Sequence, residues 1–480
     1  RLARTYCSAC HAFPAPELLD KSTWRAGVLP QMARRLGAGT PLLSDPTPHP
    51  HMTVLTEAVS ERDWEAIERY YLEQSPDTLP PQRLPAPPQV DPGFFRTGPF
   101  VPRAPGAAII TVLETDSTHN RIFVGEAGSR RLLVFDWSRR LLASLALGSP
   151  ATDVIARDED VLVLESGILH PNDEPRGRLA RYRVGRDSLE FREVLIDSLL
   201  RPVFVAQADF DADGRVEFLI CEYGDNRGRL ALYRERGSGY TRVVLDASPG
   251  AIRFEIRDLT ADGHPDVVAL FAQGDERIVL FVNDGHGGFA EEPRVLARFP
   301  PVYGSMHFSM HDFNGDGRRD ILYVNGDNFD LSRVLKPYHG IRILENDGND
   351  RFVERYFFPV YGAARAEAAD FDRDGDPDIV ITSNFADADR HPERGIMFLE
   401  HTGPYQFAPY AFSIAARNRW NVMTTGDLNR DGWLDVIVGA MDLESIANIQ
   451  RRRPPEASDD NNVPLLWFEN RMQGRAGAPR

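Results

Sequence analysis

Cys7, Cys10 and His11 stand in the order C-x-x-C-H near the start of a 480-residue chain. Two thiols at that spacing can form thioethers to the vinyl groups of a haem, and the adjacent imidazole can ligate its iron, which is the pattern of c-type haem attachment. Other uses of the two thiols fit less well. The third cysteine, Cys221, lies far off in the apolar run Glu217-Phe218-Leu219-Ile220-Cys221, where it reads as a small buried hydrophobe. No four-thiolate zinc site can be assembled from three cysteines so placed, and a redox dithiol calls for a βαβ setting that is missing here. A haem held by His11 usually takes a methionine on its other face, which favours electron transfer over oxygen chemistry. Met32, after a helix break expected at Pro30, is the preferred ligand; Met52 is the alternative, with His49 and His51 as further imidazoles.

A second set of chemistry-bearing residues recurs five times. The loops begin Asp209-Phe210-Asp211-Ala212-Asp213-Gly214, Asp258-Leu259-Thr260-Ala261-Asp262-Gly263, Asp312-Phe313-Asn314-Gly315-Asp316-Gly317, Asp370-Phe371-Asp372-Arg373-Asp374-Gly375 and Asp427-Leu428-Asn429-Arg430-Asp431-Gly432. Each has a carboxylate three residues after the glycine: Glu217, Asp266, Asp320, Asp378 and Asp435. Oxygen donors at alternate positions of a tight loop suit Ca²⁺, which accepts six to eight oxygens in loose geometry, better than Mg²⁺ or a softer metal. The EF-hand is excluded, because no loop has a twelfth-position Glu between two helices. The Asp370 loop, with carboxylates throughout, should bind most tightly. The Asp258 loop, with Thr260 at its third position, should bind most weakly, and the longer Glu217 should alter its site. Up to five Ca²⁺ ions would brace the fold.

The elements that position these residues differ between the two ends of the chain. Residues 1–75 read as helical: Ser60-Glu61-Arg62-Asp63 resembles a capping box, followed by Trp64, Ile67, Tyr70 and Tyr71 at helical spacing. An earlier helix should run from Ser22 to Leu29, carrying Trp24 and Val28, until Pro30 ends it. Ten prolines between positions 76 and 105 predict a semi-rigid, extended linker. Short β-rich runs with Gly, Asn and Asp turns fill the rest. The acidic loops start 49, 54, 58 and 57 residues apart, the length of a four-stranded propeller blade. Two more units, around Ile109, Ile122 and Leu132 and around Val154 and Val163, bring the count to seven, with Leu465-Leu466-Trp467-Phe468 as the last strand. The predicted fold is a small all-α domain (1–75), the linker (76–105), an all-β seven-bladed propeller (106–472) and a tail (473–480).

The repeated loops closely resemble the FG-GAP or VCBS repeats of integrin-α-like propellers. That resemblance implies ligation by the side chains at positions one, three, five and nine, with the carbonyl of position seven: Arg215, His264, Arg318, Asp376 and Trp433. The N-terminal part, with Cys7-Ser8-Ala9-Cys10-His11 and Leu29-Pro30-Gln31-Met32, is similar to the monohaem cytochrome c module fused to such repeats in exported bacterial proteins. Its specificity rests on the haem motif alone.

Upstream of three acidic loops, period-two alternation puts Arg253 and Glu255, His307 and Ser309, and Arg365 and Glu367 on one face of a strand, with Phe254, Phe308 and Ala366 on the other. In a propeller that polar face would line the central channel, as an ion-pair ring closing it or, alternatively, as a ligand site.

Bulk properties narrow the function. The formal net charge is −16, and five divalent cations would offset ten of those charges, yet net acidity still argues against nucleic acid as a partner. No run of 18 apolar residues is present to span a membrane, which leaves peripheral or lipid-anchored association open. The start at Arg1 fits a processed or trimmed chain. Covalent haem attachment and millimolar Ca²⁺ both belong outside the cytoplasm, so a periplasmic, cell-surface or extracellular bacterial protein is expected. The reading is an electron carrier, its haem docked by the propeller to a redox protein or multi-subunit complex. The alternatives are an oxidoreductase whose channel feeds the haem and an adhesion or assembly protein.

Overall fold

In the computed structural model, residues 1–38, 59–101, 109–185, 188–237, 239–327, 332, 334–348, 351–441 and 463–474 are described. Met52, His49 and His51 lie outside them.

Seven sheets of four strands, one extended to five, follow each other along the chain and form the blades of a propeller. The first two, at Ile110–Ala146 and Ala151–Leu199, are the units without acidic loops. The next five begin at Pro202, Ala251, Ser305, Ala363 and Trp420. Each second strand of these five is buried at all six positions, for example Asp266–Phe271 and Asp435–Ala440. A strand covered on both faces requires the near-continuous apolar runs read after each loop.

The predicted closure differs. Leu465–Asn470 is the third strand of the seventh blade, and its outermost strand is Phe95–Pro99, antiparallel to it with Phe95 opposite Asn470. Gln89–Val90 adds a parallel fifth strand to the sixth blade beside Tyr410 and Ala411. The segment 76–105 is therefore more than a linker. Pro99 sits where an outer-edge strand tolerates it, since an edge residue leaves one side of its backbone unpaired. Phe95 is buried against Phe398, Phe412 and Phe468, with ring centroids 5.5–6.1 Å away, so chain start and chain end share one core.

The N-terminal segment is helical. Leu2–Cys7 is followed by a continuous run in which Lys21–Thr23 passes through a π-turn, Trp24–Val28, into the α-helix Leu29–Arg35. Pro30 does not end this run as expected. It falls in the first turn of the last helix, just after the π-turn's bond from the Leu29 N–H to the Trp24 carbonyl, where a missing N–H costs little. Asp20 caps the run, its Oδ1 accepting the N–H groups of Ser22 and Thr23 at 3.0 Å. The third helix, Glu61–Gln74, begins as predicted, with Ser60 Oγ accepting the Asp63 N–H at 3.2 Å. Trp64, Ile67 and Tyr71 face inward, whereas Tyr70, expected among them, is 38% exposed because it lies a full quarter-turn off that stripe.

Candidate functional site: one cavity, five acidic loops and a charged channel

The first helix ends at Cys7, so the turn that follows carries Cys10 and His11 back across the helical segment. Trp24 fixes that turn from below: its Nε1 donates to the Pro16 carbonyl at 2.7 Å, and its ring lies 4.4 Å from that of Tyr71, whose hydroxyl donates to Pro14 at 2.9 Å. Met32 and Leu36 reach the same space from the second helical run, and Trp64 and Ile67 from the third helix. Together with Cys7, Cys10 and His11 they enclose a cavity of about 540 Å³, within the range of about 300–1,000 Å³ usual for cofactor and small-molecule sites. The four residues singled out in sequence, Cys7, Cys10, His11 and Met32, thus converge on one space.

His11 Nδ1 lies 2.9 Å from the Ala12 carbonyl oxygen. That bond fixes the tautomer with hydrogen on Nδ1 and leaves Nε2 as the free donor of a lone pair, the arrangement typical of a ligating histidine. Burial pushes the Cys7 thiol up, against a smaller opposing effect of a hydrogen bond with Tyr71. This is the reverse of the depressed thiol of a dithiol oxidoreductase.

The far wall was not legible in the sequence. It comes from the propeller: Gln273, Asp275 and Glu276 between the second and third strands of the fourth blade, Val302 and Gly304 ahead of the fifth, and Asp327 after the second strand of the fifth. These are loop residues with no motif, and only the fold brings them to the cavity.

The acidic loops repeat one geometry. The first-position Asp accepts the N–H of position five at 3.0–3.2 Å and of position six at 2.8–3.1 Å in all five. The glycine at position six has φ between 82° and 102°, with nothing near its absent Cβ in four of the loops, so conformation rather than space requires it. The ninth-position carboxylate is buried and accepts the N–H of position two at 2.8–3.2 Å. In the last four loops its second oxygen also takes a backbone N–H further along the blade, from Asn283, Asn346, His401 or Asn470, at 2.8–2.9 Å. Glu217, one methylene longer, makes only the first of these bonds among the described residues, a visible consequence of its length. Asp209, Asp211 and Glu217, and Asp370, Asp372 and Asp374, bring three carboxylate oxygens within 4.8 Å of one another. Elsewhere Thr260, Asn314 or Asn429 replaces one acid. The crowding is costly: burial first, then Asp372 and Asp370, push Asp376 up to about 6, and burial first, with Asp372 and Asp376 adding to it, pushes Asp378 up to about 8.

The polar faces of the innermost strands do meet. Asp153, Arg253, Arg365 and Glu367, from three strands, all act on the Glu114 carboxyl of a fourth, which burial and Asp153 push up to about 7. Three groups of this channel join blades. Asp153 accepts the Val205 N–H at 2.9 Å, Arg253 donates to the Phe308 carbonyl at 3.2 Å, and Glu255 accepts the Met310 N–H at 3.0 Å. Arg365 and Glu367 pair at 2.7 Å.

Residues 209–269 and 258–323 match the FG-GAP-like repeat family. No curated protein matches the chain. Among solved structures, the Dos1 propeller is similar at 10% identity and a TM-score of 0.44, over 75% of this chain and 78% of its own. A luciferin-regenerating enzyme is similar at 9% identity and a TM-score of 0.39, over 78% and 95%. The chain carries FG-GAP-like repeats on a seven-bladed β-propeller.

Proposed function

We propose that this protein is an exported electron carrier, in which the helical segment holds one covalently attached haem and the propeller docks it to a redox protein or complex. The observation that carries the reading is the convergence of Cys7, Cys10, His11 and Met32 on one cofactor-sized, largely aromatic and aliphatic cavity. The donor set fits: two thiols for thioether bonds, an imidazole whose Nε2 is free, and a thioether sulfur. When bound, a c-type haem supplies one-electron exchange between ferric and ferrous iron. The chain's own part is to seat that group, to keep water from it with Trp24, Leu36 and Ile67, and to aim His11 through its bond to the Ala12 carbonyl. Among the described residues no helix is long and apolar enough to cross a membrane, so a peripheral or lipid-anchored position is the form of membrane association proposed.

The propeller's part is structural. In each loop the carboxylates at positions one, three, five and nine, or the Thr and Asn that replace some of them, would hold Ca²⁺ and so neutralise acids that otherwise repel one another. The charged channel supports closure rather than catalysis, because Asp153, Arg253 and Glu255 are bonded to the next blade's backbone and Arg365 and Glu367 to each other.

The test is expression in a host that attaches c-type haem, outside the cytoplasm. A single haem that survives denaturation, is lost in a Cys7→Ser, Cys10→Ser double variant, and changes its absorbance in Met32→Ala is expected. A polypeptide that leaves this host without covalent haem overturns the reading.

A further inference from the structure

Three blades bury a glutamate at the turn from second to third strand: Glu165 and Glu222, which end the second strand, and Glu276, just before the third, at 0%, 0% and 2% exposure. The first two are ion-paired. Glu165 meets Arg178 at 2.8 Å and takes the Tyr182 hydroxyl; Glu222 meets Arg229 at 3.3 Å and takes the Tyr233 hydroxyl. Glu276 accepts the N–H groups of Gly304 and Ser305 at 3.0 and 2.9 Å and the Ser305 hydroxyl, and among the described residues it pairs with no cation. It is also the one of the three that lines the cavity with Cys7, Cys10 and His11.

Its surroundings do not neutralise it. On its own blade, Arg277 is held by Asp246 and Asp275 at 2.8 and 3.1 Å, and Arg298 by Asp275. From the fifth blade, Tyr323 bonds Ser305, Tyr338 bonds the Val302 carbonyl, and Arg342 lies over Tyr303 and pairs with Glu354. Asp327 adds a second negative charge. Across the cavity, Tyr6, His11, Gln31, Arg35 and Tyr71 line it from the helical segment, along with the two cysteines.

We infer that Glu276 is the redox-linked proton site of this protein, taking up one proton from water when the centre in the cavity accepts one electron from a one-electron donor, and releasing it on oxidation. The inference rests on the reading of the cavity as a haem site. Electron and proton arrive together, so the charge of a poorly solvated cavity is unchanged, and the coupling is reciprocal: protonation raises the affinity for the electron as much as the electron raises that for the proton. Burial already pushes Glu276 up to about 7, with the hydrogen bonds from Ser305 and Gly304 opposing and Asp327 assisting. A group poised there changes charge in response to a modest change of field. Glu276 touches no reacting atom and acts as a positioning residue for charge.

Potentiometric titration of the full-length, haem-bearing protein across neutral pH is the test. The midpoint potential should fall with rising pH, approaching about 59 mV per pH unit, the value for one proton per electron. Glu276→Gln should flatten this slope while retaining the absorbance spectrum. Glu165→Gln, altering a buried, ion-paired glutamate that does not line the cavity, should leave it in place. Ser305→Ala, which removes a bond to the carboxylate, should keep the slope and move its window to higher pH. A pH-independent potential in the wild type, or a slope that survives in Glu276→Gln, overturns this inference alone. Absence of covalent haem, visible in the spectrum before any titration, overturns the reading of the site and this inference with it.

Discussion

Arg298 donates from Nη2 to the carbonyl oxygen of Cys10 across 3.1 Å. It is the hydrogen bond that joins the turn between the two cysteines to the outer strand of the fourth blade. Behind it, Asp275 pairs with both Arg298 and Arg277, and Arg277 pairs with Asp246. The helical segment is therefore fastened by a charge-assisted bond at the motif itself, and by apolar contact where Val302 joins the core of Trp24, Ile67 and Tyr71.

Arg298→Ala should loosen this attachment without unfolding the propeller. Arg298 is 43% exposed, so the loss of stability should stay at about 1 kcal/mol. The measurable effect is local: faster amide hydrogen exchange across residues 7–13, with the blade strands unchanged.

The ninth-position carboxylates point to a second device. Asn283, beside Asp266, donates from Nδ2 to the Phe210 carbonyl of the preceding blade's loop at 2.9 Å, and Asn470, beside Asp435, does the same to Phe371 at 2.9 Å. Among the described residues Asn346, at the matching place in the fifth blade, donates from Nδ2 only across 3.5 Å, to the Arg319 carbonyl of its own blade. Asn283→Ala and Asn470→Ala each leave buried carbonyls unpartnered and should cost about 3 kcal/mol, whereas Asn346→Ala should cost under about 1 kcal/mol. Chemical denaturation of the three variants checks the order.

Phe95 should be worth more than its place in a proline-rich stretch implies. Its ring sits between the sixth and seventh blades, against Phe371, Phe398, Phe412 and Phe468. Phe95→Ala should destabilise by about 3–5 kcal/mol. Removal of residues 1–100 should leave the strand Leu465–Asn470 as an open edge and produce association, measurable by light scattering.

The blades were legible because five copies of an acidic loop mark where each second strand begins, and the polar alternation at Arg253, His307 and Arg365 marks the strand before it. The grouping of Cys7, Cys10 and His11 was legible because it is local. What sequence did not reveal is what the chain brings together over long separations. The pairing of Phe95 with Asn470 spans nearly the whole chain, and prolines disguise the strand. Glu276, Val302 and Asp327 reach the cavity only through the curvature of the fourth and fifth blades. Pro30 misled for a different reason: a π-turn changes which N–H groups need partners, and no composition signal marks it.

The Asp370 loop gives a pH dependence whose sign is fixed. Asp378 and Asp376 are pushed up to about 8 and about 6 by burial and by neighbouring acids, against about 3.9 for an unfolded Asp. Between those values the folded chain binds more protons than the unfolded one, so without divalent cations stability should fall as pH rises from about 4 to about 8. Ca²⁺ binds the deprotonated carboxylates and should flatten or reverse that slope, by an amount that grows with pH. Thermal unfolding in chelator and in millimolar Ca²⁺ at several pH values checks both statements. Asp378→Asn should remove much of the chelator slope and part of the Ca²⁺ response. A slope that is the same with and without Ca²⁺ would show that these loops hold their carboxylates by backbone hydrogen bonds alone.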